Sequence, residues 1–335
     1  MTFTASDFGH YQTPERMAAK NQWMPPIPKG ARVLDVGCDH GYFAFQAAER
    51  GAACVLGIDR GRKVRGQGFV DLASRNNAMA KATGCDNIEF RNFHLGKQWE
   101  DLGEFDHILV CSVYHHVYEA CGGDHRPIWY WLRRQCSDSA IVVFEAPVDT
   151  SDPVVRLNVS PQYHDGYTLD AIRAAAERYF TIEELGPAVH EPTRFAFRMA
   201  AKSLRAELIK AKVVAGAGGA TKAFLHANGR RIKEIFDATG VEPFPGSLNL
   251  RLDRPFDWSH GYLRVELMDA RDRSEGFNGE WWPRWAKIVS CQYDNHDCFA
   301  LRFEEEKYAL DFVELIADIK LRSETRPAAM LLREV

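Results

Sequence analysis

Between Ala31 and Pro147 the chain alternates short apolar, β-branched runs with stretches in which apolar residues recur every three or four positions. The runs VLDVG, CVLGID, NIEFRNF, HILVCSV and AIVVFEAP are too short for helices and too uniformly apolar for strands with one wet face. They predict strands buried on both sides. Between them YFAFQAAER, VRGQGFVDLASRNNAMAKAT and the segment around IWYWLRRQC carry the helical period. LDAIRAAAERY adds a further helix, and FTIEELG with RFAFRMA reads as a closing antiparallel pair that ends a first domain near Lys202. Strands and helices in this alternation predict a doubly wound α/β fold.

The flanking segments have a different texture. Residues 1–28 form an N-terminal arm closing in MPPIPKG, whose prolines exclude a helix or a central strand. His10, Tyr11 and Arg16 on that arm suit either a lid over a pocket or plain packing. SLRAELIKAK, 203–212, is rich in helix formers and reads as a linker helix. From Val213 onward short strand candidates (KAFLHA, SLNLRL, YLRVELMDA, RWAKIVSCQY, CFALRF) are punctuated by Gly, Asp and Asn, which predicts a small β barrel. One helix, RRIKEIFDATG, places Ile232, Ile235 and Phe236 on one face and ends at Gly240.

The bulk numbers narrow the function. A chain of 335 residues exceeds one ordinary core and predicts about two domains. Lys+Arg 42 against Asp+Glu 46 leaves a net charge of -4, without the basic balance of a nucleic-acid binder. Eight cysteines without a Cys-x-x-Cys pair point to a reducing, cytoplasmic setting. No apolar run approaches the ~18 residues of a membrane span.

At Asp35-Val36-Gly37-Cys38-Asp39-His40-Gly41 a strand turns into a helix. Glycines there let a ligand approach the backbone, and the first helical turn offers free N–H groups. A dinucleotide turn would read G-x-G-x-x-G with a pyrophosphate on the helix N-terminus; here Asp39 stands at the middle glycine and opposes an anion. The segment resembles the first motif of class I S-adenosylmethionine-dependent methyltransferases, Asp/Glu-x-Gly-x-Gly-x-Gly, in its Asp-x-Gly-Cys variant, and the likeness runs from Arg32 to about Ala200. It implies a Rossmann-like seven-stranded sheet with S-adenosylmethionine as cofactor, held at the turn by Asp35, Gly37, Cys38, Asp39, Gly41 and Tyr42. It also implies that Asp59, followed by Arg60, accepts both ribose hydroxyls, that Asn92 and Phe93 meet adenine, and that Ser112 borders the site. Asp39 in place of a glycine implies a local change of loop path.

LVCSVYHHVYEACGGDHRPIWYW puts Ser112, Tyr114, His115, His116 and Tyr118 at the carboxyl end of a central strand, where open α/β sheets bind ligands. In methyl transfer the protein orients the acceptor and, for a hydroxyl, takes up its proton. Histidine titrates near neutrality, and the resemblance implies a His-His pair beside the acceptor. His115 and His116, with Tyr114, are the candidate catalytic residues. The opposing readings are a histidine packed beneath the methionine end of the cofactor, and a metal held by His115, His116, Glu119 and His125, against which stands the fact that adjacent histidines rarely point at one ion.

GAGGATKAF, EPFPGSLNLRL and DFVELIADIKLR follow in that order and resemble the archaeal CTP-dependent riboflavin kinases, a small cradle-loop β barrel, over about 213–322. The resemblance implies CTP on the loop at Gly216, Gly218, Gly219 and Lys222, since successive backbone N–H groups cradle phosphate. It implies Mg²⁺ on Ser247 and Asn249, which at i and i+2 share one strand face. Ala220 replaces the loop's third glycine, FEEEKY is acidic where the family contacts flavin, and LRSETRPAAMLLREV lacks the family's final Gly-Asp-rich strand. Trp281, Trp282 and Trp285 read as barrel core or as a stacking platform. The expected organisation is therefore an arm at 1–28, a methyltransferase domain at 29–202, a linker helix at 203–212 and a barrel at 213–335. The expected activity is methyl transfer to an oxygen of a small or glycan-like acceptor, with a barrel that phosphorylates the acceptor from CTP. The alternatives are a barrel that only binds substrate or nucleotide, and an RNA methyltransferase.

Overall fold

In β1 (Arg32–Val36) Val33 and Leu34 point to opposite faces and both are fully buried, so this strand needs cover on each side. The computed structural model describes residues 21–24, 26–64, 68–188, 191–203, 205–214, 230–243, 248–256, 258, 261–266, 285–293, 296–304, 312–317 and 327–334. Two units divide the chain, Met1–Gly96 with Leu102–Lys202 and Lys97–Asp101 with Ser203–Val335.

In the first unit β1 is followed by α1 (Tyr42–Glu49), β2 (Cys54–Asp59), β3 (Arg62–Val64), β4 (Gly68–Val70), α2 (Leu72–Thr83) and β5 (Ile88–Asn92). Then come β6 (Phe105–Cys111), α3 (Tyr114–Ala120), α4 (Arg126–Arg134), β7 (Cys136–Pro147), α5 (Pro153–Asn158), α6 (Leu169–Ala176), β8 (Phe180–Ala188) and β9 (Glu191–Ala201). The seven-stranded sheet runs β5-β2-β1-β6-β7-β9-β8, parallel as far as β7 and antiparallel at β9 and β8. The order reverses between β1 and β6, and a crevice opens outside the carboxyl ends of the strands at such a reversal. The helix expected over VRGQGFVDLASRNNAMAKAT is corrected in its first part. β3 and β4 pair as a hairpin, and α2 starts only at Leu72. Asp71 sets that start by accepting from the Ser74 N–H at 3.0 Å and from its hydroxyl at 2.6 Å.

The linker helix expected at 203–212 is corrected to a strand, β10 (Arg205–Val213). Ile209 and Ala211 are buried while Lys210 and Lys212 are exposed. This alternation, with pairing on both edges, overrides the helix propensity of its residues. After it come α7 (Arg230–Thr239), β11 (Leu248–Leu252), β12 (Leu263–Glu266), β13 (Trp285–Tyr293), β14 (His296–Phe303), β15 (Phe312–Ile316) and β16 (Pro327–Glu334). All pairs are antiparallel. The series β13-β14-β15-β11-β10-β16 returns to β13, so six strands close on themselves with β12 added beside β13. β16 supplies the closing strand without the Gly-Asp-rich signature. On α7, Ile235 and Ala238 are buried but Phe236 is 46% exposed, which corrects the expected covered face. Gly240 ends the helix at φ 73. Trp99, from the Lys97–Asp101 insertion into this unit, is buried, its indole N–H donating to the Arg264 carbonyl at 2.8 Å. Among the described residues no helix is long and apolar enough to cross a membrane. His10, Tyr11, Arg16, KAFLHA, Gly216, Gly218, Gly219, Lys222, Ser247, Trp281 and Trp282 lie outside the described residues.

Candidate active site

The candidate residues of the first unit gather at the carboxyl ends of β1, β2 and β6. Gly37 takes φ 70, and a Cβ there would lie 2.4 Å from Val113 Cγ2, so the position admits glycine alone. Gly41 takes φ 82, and its Cβ would lie 2.8 Å from the Phe90 ring. Asp39 itself takes φ 45. The aspartate thus takes the left-handed region that glycine favours, which a short polar side chain tolerates best.

Hydrogen bonds lock the turn to β2. The N–H groups of Gly37 and Cys38 donate to the Ile58 carbonyl at 2.8 and 3.1 Å. The Asp39 N–H donates to Asp59 Oδ2 at 3.1 Å and the Gly61 N–H to Asp59 Oδ1 at 2.7 Å. From α2, the Asn76 amide donates to the Asp39 carbonyl at 2.7 Å. Each Asp59 oxygen so accepts one N–H and keeps a second lone pair. Burial raises the Asp59 carboxyl above its ordinary value. Cys38 is buried, and its thiol is pushed well up, first by burial and then by the charges of Asp35, Asp59 and Asp39. Three carboxylates therefore act on this turn, with Asp35 buried at its start. The Tyr42 hydroxyl accepts from the Asn21 amide at 2.7 Å. Arg60 and Asn92 are exposed, and Asn92 donates to Asp71 at 3.0 Å. Phe93 is buried with its ring stacked on Trp131 at 5.6 Å between centroids.

α3 begins two residues after β6 and carries the histidine pair. His115 is 1% exposed, and neither ring nitrogen has a hydrogen-bond partner among the described residues. Burial, then the charges of His116, Arg194 and Arg60, lowers it to about 2. The His116 ring lies 4.1 Å from it between centroids and is lowered to about 4 by burial and Arg60. Both imidazoles are neutral at neutral pH. Tyr114 is fully buried, its hydroxyl paired with His125 Nδ1 at 2.8 Å and its ring set among Trp129, Phe144 and Tyr167. Burial pushes its phenol well up. His125 Nε2 donates to the Gly166 carbonyl at 2.9 Å, and Glu119 accepts from the Ser160 N–H and hydroxyl at 2.7 and 2.6 Å. Tyr118 donates to the Tyr163 carbonyl at 3.0 Å. His125 and Glu119 are thus committed elsewhere, and no metal-binding cluster of His, Cys, Asp and Glu occurs among the described residues.

Sequence reasoning missed Glu145 and Arg194, which meet beside this pair. Ser112, at φ 63, donates its hydroxyl to Glu145 Oε2 at 2.8 Å and accepts from Arg194 Nη2 at 2.6 Å. Arg194 Nε donates to Glu145, and the two are 6% and 1% exposed. The available signal was an acid closing the apolar run AIVVFEAP, since acids are almost never fully buried without a partner. In the second unit Asn249 stands opposite Glu314 in the β11–β15 register, and its Oδ1 is buried without a hydrogen-bond partner among the described residues. Arg264 forks onto Glu304 at 2.8 and 2.6 Å and lies over the Trp285 ring at 4.3 Å.

A glycine turn is thus locked to the acid that ends β2, in a parallel sheet closed by an antiparallel pair, a doubly wound α/β fold. The family model described as "Methyltransferase domain" matches residues 8–190, and the chain belongs to that family. Residues 213–328 match the CTP-dependent riboflavin kinase model, described as a domain of unknown function. The chain thus carries a methyltransferase domain followed by a domain that matches the riboflavin kinase model. None of the curated proteins matches. Similar solved structures include an S-adenosylmethionine-dependent methyltransferase from Mesorhizobium loti, 20% identical over 56% of this chain and 98% of that chain, with a TM-score of 0.41. The PH0226 protein from Pyrococcus horikoshii is 17% identical over 58% and 93%, with a TM-score of 0.43. The N-methyltransferase NodS from Bradyrhizobium japonicum, in complex with S-adenosyl-L-homocysteine, is 14% identical over 57% and 89%, with a TM-score of 0.41.

Proposed function

We propose that the first unit binds S-adenosylmethionine at the glycine turn and methylates an oxygen of a small or glycan-like acceptor presented to His115 and His116. The residues fit the cofactor. The charges of Asp35, Asp39 and Asp59 around Cys38 suit a ligand bearing a sulfonium and an ammonium and oppose a pyrophosphate. Asp59 has two oxygens for a vicinal diol, Gly37 and Gly41 keep side chains out of the cradle, and exposed Asn92 is available to adenine where Phe93, turned onto Trp131, is not. Bound there, S-adenosylmethionine supplies an electrophilic methyl group on a leaving group that departs neutral.

The observation that carries the oxygen reading is His115, buried, neutral and without a protein partner for either ring nitrogen among the described residues. A buried polar group left so calls for a ligand. Lowered to about 2, chiefly by burial, the neutral imidazole is a weak base, so it orients the acceptor hydroxyl and takes up its proton only as the forming methyl–oxygen bond makes that proton acidic. Tyr114, whose hydroxyl is engaged by His125, orders the core behind the pair rather than touching the acceptor. The test is calorimetry with S-adenosylhomocysteine, followed by a screen of small hydroxyl compounds for mass gain from a deuterated methyl donor. His115→Ala should cost roughly 10²–10⁴ in turnover while S-adenosylhomocysteine affinity stays put. Because the pair sits at about 2 and about 4, the wild-type rate should stay level as pH falls through the ordinary histidine value of 6.5. An undiminished His115→Ala enzyme, or a rate that falls with a midpoint at 6.5, sinks the assignment.

For the second unit two readings stand. Asn249 opposite Glu314 supplies oxygen ligands of the kind Mg²⁺ takes beside nucleotide phosphates, which favours phosphoryl transfer from CTP to the acceptor. Glu304, committed to Arg264 where the related kinases contact flavin, favours a module that binds nucleotide or substrate without turnover.

A further inference from the structure

Buried ion pairs rarely add net stability, because desolvating two charges offsets their attraction. Glu145 and Arg194 are such a pair, placed at the end of the sheet where the site lies rather than within its core. Arg194 on β9 holds Glu145 on β7 and, by its other arm, Ser112 between β6 and α3. The Ser112 N–H adds a bond to the Glu145 carbonyl at 2.7 Å. Ser112 is thereby kept at φ 63, which a serine rarely adopts unless its surroundings impose it. The next residue, Val113, packs against the Cα of Gly37 so tightly that a Cβ there has no room, and His115 follows one residue after Tyr114. The same turn thus borders the cofactor cradle on one side and carries the acceptor-side histidines on the other.

We propose that Arg194, with Glu145 as its counter-charge, is a positioning residue that fixes the Ser112–Val113 turn and so sets the histidine pair against the glycine loop. The proposal rests on the reading of His115 as the acceptor-side base. Arg194 also acts electrostatically. The charged and titratable groups that bear on His115 among the described residues are His116 beside it on α3, Arg194 from β9 and Arg60 after β2, and each opposes its protonation. An arginine fork held by a carboxylate and a hydroxyl has one orientation, so both the place and the charge state of the imidazole depend on it.

The test uses the full chain with ¹³C-labelled histidine and S-adenosylhomocysteine as the probe, comparing wild type with Arg194→Gln, Arg194→Lys and the neutral pair Arg194→Met/Glu145→Gln. The neutral pair leaves no uncompensated buried charge and keeps the test alive if Arg194→Gln does not fold. The His115 resonance, assigned with His115→Gln, should show no titration in wild type as pH passes 6.5. In Arg194→Gln its titration should move up from the wild-type value, since one of the charges opposing protonation is gone, and S-adenosylhomocysteine should bind roughly tenfold more weakly. Arg194→Lys, which keeps the charge without the fork, should restore the titration and not the affinity; the neutral pair should fold and show the weakened affinity. Unchanged affinity in the neutral pair, with an unmoved His115 titration in Arg194→Gln, overturns the positioning role and leaves the base assignment standing. A wild-type His115 that titrates at its ordinary value overturns the base assignment beneath it.

Discussion

Gly37 is held by two independent demands, a left-handed backbone and the side chain of Val113 pressed against its Cα. These demands separate by mutation. Gly37→Ala should lose roughly 2–4 kcal/mol of stability, the sum of a backbone penalty and overpacking. Val113→Gly in the same chain removes the whole side chain, its Cβ at 2.5 Å included, so the double variant should be more stable than adding the two losses predicts, by about 1–2 kcal/mol. Urea unfolding of the two single variants and the double variant reads this coupling, and strict additivity would refute the contact. At this scale the sequence was legible where a residue's neighbours along the chain dictate its role. Gly37 and Asp59 stand at fixed offsets from strand ends, Gly37 in the turn after β1 and Asp59 closing β2, where it accepts from the turn's Asp39 N–H. Phe93 follows its strand as expected, and its ring packs on buried Trp131, a contact between distant positions that its neighbours along the chain do not announce. The pairing of Glu145 with Arg194 was invisible because 49 positions separate them and only the antiparallel return of β9 brings them together.

The elements of the first unit were readable because strands buried on both faces leave apolar runs, and the order of the sheet followed from alternation and the closing pair. β10 shows the limit. Its Ala, Glu, Leu and Lys favour a helix in isolation, and only the partners on its two edges make it a strand. β16 is the more exposed test of that logic, since it fills the gap between β10 and β13 and leaves the ring without an edge. Removing Pro327–Glu334 should open two unpaired edges at once, and open edges recruit other chains. Size-exclusion chromatography of the shortened chain should show self-association that the full chain lacks. A monodisperse shortened chain with unchanged elution would mean that β16 is not needed for closure.

At the scale of the whole molecule a methyltransferase domain and a domain that matches the CTP-dependent riboflavin kinase model share one chain. The methyl site gathers carboxylates around a glycine turn and keeps its histidines neutral, as suits a cationic donor. A phosphoryl site needs the reverse, a divalent cation and backbone N–H groups to offset anionic oxygens. One pocket cannot serve both fields, so the nucleotide site proposed for the second unit calls for a fold of its own. Asn249 is the described residue on which that division can be measured. Its amide oxygen is buried opposite Glu314 with no hydrogen-bond partner among the described residues, so Asn249→Ala removes the oxygen proposed for Mg²⁺ without breaking a bond from that oxygen to any of them. The variant should bind CTP in the presence of Mg²⁺ roughly tenfold more weakly or worse, retain its thermal melt, and bind S-adenosylhomocysteine as wild type does. If CTP affinity is unmoved, or does not depend on Mg²⁺ in wild type, the oxygens of β11 and β15 serve the barrel alone. If CTP binds but is not turned over, the second fold acts as a recruiting module, and the separation of fields then serves to bring a nucleotide-linked acceptor to the methyl site.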